Sequence, residues 1–216
     1  VLRDEAFAHD LVFEGTLRSV QTADAVVWRG RIAAHMAANG GPLARIAAHW
    51  QAAQQWAQAG QAYMSAAEQI SKQMRQVEEA GLLQQAAACF AAAADAGNEA
   101  ETTWRLYVVQ VRRSYRLGAH EAVSRLLSLQ NTSPRALLYS LCAKAQTGFE
   151  EKTDEASLAL FHEAQPLAHS LGEVEVSFWL LSRLANNNAL LNRPQPAVDA
   201  ARLCAAIIDT VPRTYL

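Results

Sequence analysis

The sequence predicts an all-α protein, and three observations support that prediction. Of the 216 residues, 44 are Ala and 25 are Leu, and these two types have strong helix propensities. Only 6 residues are Pro and 10 are Gly, too few for a collagen-like chain or a turn-rich β-sandwich. Apolar residues also recur at helical spacing from Thr16 onward, between breaks that separate roughly ten helices.

The predicted elements follow from where Gly, Pro and Asn interrupt the helical pattern. These breaks are 40–42, Gly81, 97–98, Gly118, 131–134, 148–153, Gly172 and 193–196. Gly favours a helix C-terminus and Pro favours the first turn of the next helix. Residues 1–10 differ from the rest, and we expect short extended pieces at 1–3 and 6–8 before a helix that begins near Asp10.

Five triples of small, bulky and small residues lie on one helix face by the i, i+4, i+7 rule. They are Ala59/Tyr63/Ala66, Ala86/Phe90/Ala93, Ala122/Leu126/Leu129, Ser157/Phe161/Ala164 and Ala197/Ala201/Cys204, of which the third is weaker because its last residue is large. Small residues allow helices to approach closely, and the bulky residue fills the space between them. Most triples start one helix-turn-helix unit apart, but the step from the first to the second is shorter. This short step predicts one long helix over 56–80, shared between adjacent pairs.

The helices that precede three of the triples share a second pattern. Its members are Leu43/Ile46/Ala47/Trp50, Trp104/Tyr107/Val108/Val111 and Leu181/Leu184/Ala185/Asn188. From Pro42 to the end the sequence therefore resembles a tetratricopeptide-repeat array, which implies a right-handed α-α superhelix of helix pairs. The expected domains are a repeat domain at 42–216 and, at 1–41, the end of a preceding winged-helix-like module with a connecting helix. A plain antiparallel helical bundle is the alternative.

Two short motifs narrow the resemblance. Residues 7–12 read Phe-Ala-His-Asp-Leu-Val, and residues 47–53 read Ala-Ala-His-Trp-Gln-Ala-Ala. This order is similar to a junction in large bacterial transcriptional regulators, where a signal-transduction ATPase module ends in a winged helix and a tetratricopeptide sensor region follows. The resemblance implies that His9 senses nucleotide state in a longer, cytoplasmic parent protein. Because residue 1 is Val rather than Met, we expect such a parent. A packing or surface histidine is the alternative for His9.

No motif predicts catalysis in this chain. The phosphate-binding pattern GxxxxGK[ST] and the nucleophile elbow GxSxG are both missing. Pro166 stands where a zinc-protease motif that begins at His162 needs its second His, and His169 brings no third ligand. Three widely spaced cysteines, Cys89, Cys142 and Cys204, are expected to be buried free thiols. We therefore expect no enzyme activity, cofactor or metal.

Charge is unevenly distributed along the chain. Residues 102–147 carry seven Arg and Lys against one Glu, a balance of +6, and residues 148–175 carry seven acids against one Lys, a balance of −6. We interpret this as electrostatic complementarity between stacked neighbours, with a basic partner surface or direct DNA binding as alternatives. A pI of 6.3 and the lack of a long apolar run argue against nucleic-acid binding and a membrane span.

A curved array of helix pairs would present the first helix of each pair on its inner surface. The residues predicted to face this groove are Gln51, Arg105, Arg112, Trp179 and Asn186. The arginines and Asn would hold a peptide backbone or carboxylate, and the Trp would provide an apolar floor. The predicted function is a regulatory module that binds a peptide, protein or small inducer and relays this to ATPase or DNA-binding modules. A free-standing adaptor or co-chaperone, and a helical-repeat enzyme using the region of His162 and His169, are the alternatives.

Overall fold

The computed structural model describes residues 22–151 and 155–211, and it confirms the all-α prediction. The described residues form ten α-helices and contain no strand. The helices are α1 (Thr22–Ala38), α2 (Leu43–Ala52), α3 (Trp56–Ser71), α4 (Gln76–Ala92), α5 (Ala96–Arg112), α6 (Arg116–Leu129), α7 (Pro134–Glu151), α8 (Glu155–Ser170), α9 (Val174–Leu190) and α10 (Pro194–Ile207). A 3₁₀ turn at Ile208–Thr210 follows. The extended pieces predicted at 1–10 and His9 lie outside the described residues.

Most of the turns between helices use a non-glycine residue in the left-handed region. These residues are Gln54, Met74, Ala94, Ser114 and Asn192, with φ between 54° and 58°. In several turns the next N–H donates to the carbonyl five positions back, as from Asp95 to Phe90 and from Tyr115 to Gln110. This is the Schellman closure of a helix C-terminus, which Gly usually adopts because the conformation is strained for other residues.

Several predicted boundaries are wrong because the turns do not lie at the glycines. Gly81 is inside α4, and Gly97 and Gly118 lie in the first turns of α5 and α6. The long helix predicted over 56–80 is also wrong, since Met74 adopts φ 58° and separates α3 from α4. The triples that start at Ala59 and Ala86 therefore lie on consecutive helices rather than on equivalent helices of two pairs.

Over much of the chain, the same number of residues separates one left-handed turn residue from the next. We call this spacing the helix interval. It separates Gln54 from Met74, Met74 from Ala94, and Ala94 from Ser114. The same interval separates Gly172 from Asn192. A helix pair therefore repeats after two helix intervals, as from the start of α3 to the start of α5 and from α7 to α9. This repeat is longer than a tetratricopeptide unit of about 34 residues.

Consecutive helices pack in pairs, consistent with a helical-repeat superhelix. Side chains of α3, α5, α7 and α9 also meet one another directly. Thr102 on α5 donates to the Met64 sulfur on α3 over 3.2 Å. The Trp104 ring on α5 lies 6.0 Å from the Tyr139 ring on α7 and 4.8 Å from the Trp179 ring on α9. These four helices form one side of the array, and the groove described below lies on it.

The burial of the triples shows which helix faces are covered by neighbouring helices and which are exposed to solvent. All three members are buried in α6 and in α8. Cys89 and Cys142 are buried as predicted, whereas Cys204 on α10 is only partly buried. The middle residue of the α10 triple, Ala201, is exposed, because no further helix packs on α10 in the part that the structure describes. None of the described helices is both long and apolar enough to cross a lipid bilayer.

Candidate functional site

Two adjoining cavities lie over α5 and share the side chains of Trp104, Arg105, Val108, Arg112 and Glu175. The first cavity, of about 310 Å³, opens between α3, α4 and α5, and we call it the α3–α5 pocket. The second, of about 430 Å³, opens between α5, α7 and α9, and we call it the α5–α9 pocket. Together they form one groove, the α5 groove, on the side built by the odd-numbered helices.

Arg105 is held in the middle of the groove by acids from two helices. Its guanidinium forms ion pairs with Glu68 over 2.7 Å and with Glu101 over 2.8 Å. Only about a fifth of the side chain is exposed, so pairing with two carboxylates restricts its rotamers as well as neutralising it. Arg105 therefore links α5 to α3 and is less available for contact with a ligand.

A second charged cluster closes the far end of the groove. Arg135 on α7 donates to Glu173 over 2.5 Å and pairs with Glu101 over 3.0 Å. The Tyr139 hydroxyl donates to the other Glu173 oxygen over 3.1 Å. Burial alone would lower the pKa of Arg135, but Glu101 and Glu173 raise it overall, while burial and the same carboxylates raise the pKa of Tyr139. This cluster is an internal clamp between α5, α7 and α9.

Two other cations of the groove have no such partner. Arg112 at the C-terminal end of α5 and Lys72 just after α3 are both exposed and both line the α3–α5 pocket. Neither forms an ion pair or a hydrogen bond with any residue in the ranges 22–151 and 155–211. Their positive charges are therefore available to an anionic group that enters the pocket.

The α3–α5 pocket also contains a buried carboxyl group. Glu79 in the first turn of α4 is only 8% exposed, and no described residue forms an ion pair with it. Burial raises the pKa of Glu79, although a hydrogen bond from Ser71 and the charges of Arg112 and Arg105 act in the opposite direction. A buried acid without an ion pair is costly and is a candidate for a functional role.

Aromatic rings give the groove a rigid floor. Trp104 stacks on Tyr107 at 5.3 Å and meets Trp179 edge-on at 4.8 Å. Trp179 in turn contacts Phe161 at 5.7 Å, and the Arg183 guanidinium lies 5.5 Å from its ring centroid. Because these rings fix one another, the floor is preorganised for contact with an apolar group.

Three of the five residues predicted from the sequence line the groove. Arg105, Arg112 and Trp179 do so. Gln51 lies on α2 outside the groove, where its carbonyl oxygen accepts a hydrogen bond from the Tyr63 hydroxyl over 2.8 Å. Asn186 is exposed near the end of α9 and does not line either pocket.

Sequence reasoning missed Lys72 and Glu79 because both fall in the stretch predicted as one long helix. The helix interval gives the signal that would have found Glu79. One interval on from Glu79 and from Arg105 leads to Glu99 and Arg125, and Arg125 donates to Glu99 over 2.6 Å. Glu79 is the copy of this position that lacks the ion pair.

Among the residues that the structure describes, the predicted charge complementarity between the basic and acidic stretches is present in the pair of Arg135 with Glu173. Two other arginines of the basic stretch pair with acids that precede the stretch in the sequence, Arg105 with Glu68 and Glu101 and Arg125 with Glu99.

His162 and His169, which the enzyme alternative requires, are both exposed on α8. Within the described ranges no three His, Cys, Asp or Glu side chains are grouped so as to hold a metal ion. Among the residues described, these two histidines therefore lack the additional ligands that a metal site needs.

Comparison with known proteins does not assign the chain to a family. No family model matches the sequence, and no curated protein or solved structure shows a significant match.

Proposed function

We propose that this chain is the non-catalytic, tetratricopeptide-like sensor and interaction region of a bacterial transcriptional regulator. The α5 groove binds a peptide, protein segment or small inducer, and the bound state is relayed to ATPase or DNA-binding modules elsewhere in the parent protein. The observation that supports this most directly is the pairing of an aromatic floor with the two unpaired cations Arg112 and Lys72 in one groove.

The relay follows from how the groove is built. Its walls come from α3, α4, α5, α7 and α9, so a ligand in the groove contacts elements that are far apart in sequence. Repeat units contact mainly their neighbours, and small changes of packing at each contact add up along an array. A ligand that prefers one arrangement of these helices therefore shifts the population of that arrangement. The regulator assignment itself is supported by the motifs at 7–12 and 47–53.

The parent open reading frame tests the regulator assignment. The proposal predicts an upstream ATPase segment with a phosphate-binding loop, joined to this chain through the Phe-Ala-His-Asp-Leu motif. A natural start codon close to Val1 would contradict the regulator and leave a free-standing adaptor. The adaptor would bind extended peptides with an affinity that falls on Arg112→Ala and is unchanged on His9→Ala.

A further inference from the structure

Besides the ion-paired Glu68 and Arg105, the α3–α5 pocket is lined by charged groups of both signs that no ion pair joins to one another. Glu79 is buried in the wall that α4 provides, whereas Lys72 and Arg112 are exposed at the C-terminal ends of α3 and α5. Arg112 acts on Glu79 electrostatically, but no ion pair joins them. An acid and two cations therefore surround a space that no described side chain fills.

At the position equivalent to Glu79 in the next helix, the buried acid forms an ion pair. Glu99 on α5, 4% exposed, forms an ion pair with Arg125 on α6. The corresponding arginine for Glu79 is Arg105, which forms its ion pairs with Glu68 and Glu101 and acts on Glu79 only electrostatically. Glu79 thus keeps the burial of the repeated position without an ion pair to a described residue.

The space between the charges is suited to a small apolar group. Met64, Ala67, Leu83 and Val109 line it, and all four are buried. The pocket volume of about 310 Å³ lies at the lower end of the range for small-molecule sites. Apolar side chains that surround a few polar groups are typical of sites that orient one small ligand.

We propose that the α3–α5 pocket binds a small zwitterion, an α-amino acid with an apolar side chain. Its ammonium group donates to Glu79, its carboxylate pairs with Arg112 and Lys72, and its side chain packs on Leu83 and Val109. This inference rests on the proposed function, because it names the ligand class that the groove senses.

The charge pattern disfavours ligands that carry one sign alone. A simple anion would meet Arg112 and Lys72 but would also approach the Glu79 carboxylate. A simple cation would find Glu79 but would approach the two basic groups at the rim. Only a molecule that carries both charges close together satisfies all three groups, so the pocket selects by repulsion as well as by attraction.

Isothermal titration calorimetry of the full chain with L-leucine and L-phenylalanine tests the proposal. Two blocked analogues serve as comparisons: N-acetyl-L-leucine lacks the ammonium charge, and L-leucinamide lacks the carboxylate charge. Each block should weaken binding by about ten- to a hundredfold, because hydrogen bonds to charged groups contribute about 1.5–3 kcal/mol. The variants Glu79→Gln and Arg112→Gln should weaken binding of the free amino acids by a similar factor. Glu78→Gln and Arg202→Gln change exposed residues outside the pocket and should leave binding unchanged.

The outcomes separate this inference from the function on which it rests. No heat from either free amino acid at millimolar concentration, or equal binding of the N-acetyl form, overturns the zwitterion site. If extended peptides nevertheless bind and Arg112→Gln abolishes that binding, the groove still functions as proposed. If the binding of amino acids and the binding of peptides are both independent of Arg112, both proposals fail.

Discussion

At the scale of single residues, Glu79 and Glu99 occupy equivalent places with different partners. Glu99 is neutralised by Arg125, and Glu79 lines a pocket without an ion pair. The two positions differ in the partners of one arginine, since Arg105 pairs with Glu68 and Glu101. The electrostatic cost of the buried Glu79 carboxylate should be measurable in the stability of the chain.

Replacing Glu79 with Gln should stabilise the chain near neutral pH. Burial raises the pKa of Glu79, so between its ordinary and raised values the folded chain binds more protons than the unfolded chain. Stability then falls as pH rises through that window, and Gln avoids this loss. Urea unfolding at about pH 4 and about pH 7.5 measures it. The advantage of Glu79→Gln should be present at the higher pH and small at the lower one, and Glu78→Gln serves as the exposed control. An advantage at low pH alone would contradict the assignment.

Two glycines on neighbouring helices should respond in opposite ways to Ala. A Cβ atom at Gly60 would lie 2.9 Å from the Phe90 ring, whereas one at Gly81 would meet nothing within 4 Å. Gly60→Ala should therefore cost about 1–3 kcal/mol through overpacking. Gly81→Ala should gain up to about 1 kcal/mol through helix propensity. Thermal unfolding monitored by circular dichroism compares them, and a stabilised Gly60→Ala would show that α3 and α4 are further apart than described.

At the scale of elements, the helices could be predicted from the sequence but several of their ends could not. Ala-rich periodic segments indicate the type of structure, and the breaks at Gly172 and before Pro134 and Leu43 lie where turn residues predicted them. Other turns depend on non-glycine residues such as Met74 in a conformation that they rarely adopt. Tertiary packing of the flanking helices imposes it, so local sequence carries little signal. The prediction missed the pocket residues Lys72 and Glu79 because it placed no turn at Met74.

Relieving the strain at such a turn should stabilise the protein. Met74 is 80% exposed with φ 58°, so its side chain contributes little packing to offset the left-handed backbone. Met74→Gly should raise the free energy of unfolding by up to about 1 kcal/mol, since Gly adopts this conformation without a Cβ clash. Gln73→Gly is the control and should be destabilised, because Gln73 has no positive φ. Urea titration measures both, and destabilisation of Met74→Gly would mean that Met74 is not held in the left-handed region.

At the scale of the whole molecule, buried core residues contrast with an exposed face of α10 among the residues described. Leu126 on α6 is fully buried in the large cluster formed by α5 to α10, whereas Leu203 on α10 is 53% exposed. The same residue type therefore has very different surroundings at the two places. Ala residues occur in both surroundings, since Ala122 is buried on α6 and Ala201 is exposed on α10.

Truncating these two leucines tests the position of the core. Leu126→Ala should cost about 2–5 kcal/mol because it leaves a cavity. Leu203→Ala should change stability by less than about 0.5 kcal/mol. The free energy of unfolding from urea titration gives both values. A large loss for Leu203→Ala would show that α10 is covered by another helix or a second copy of the chain.

Control of a transcriptional regulator through the α5 groove can be tested by transcript profiling without knowledge of the ligand. Transcript profiles are compared between cells that carry the parent gene in native form, as Arg112→Glu, as Arg202→Glu and as a deletion. Arg112 lines the groove, whereas Arg202 is three-quarters exposed on α10. With equal protein levels, we predict that the Arg112→Glu profile resembles the deletion and that the Arg202→Glu profile resembles the native strain. A native profile for Arg112→Glu beside a clear effect of the deletion would contradict the account.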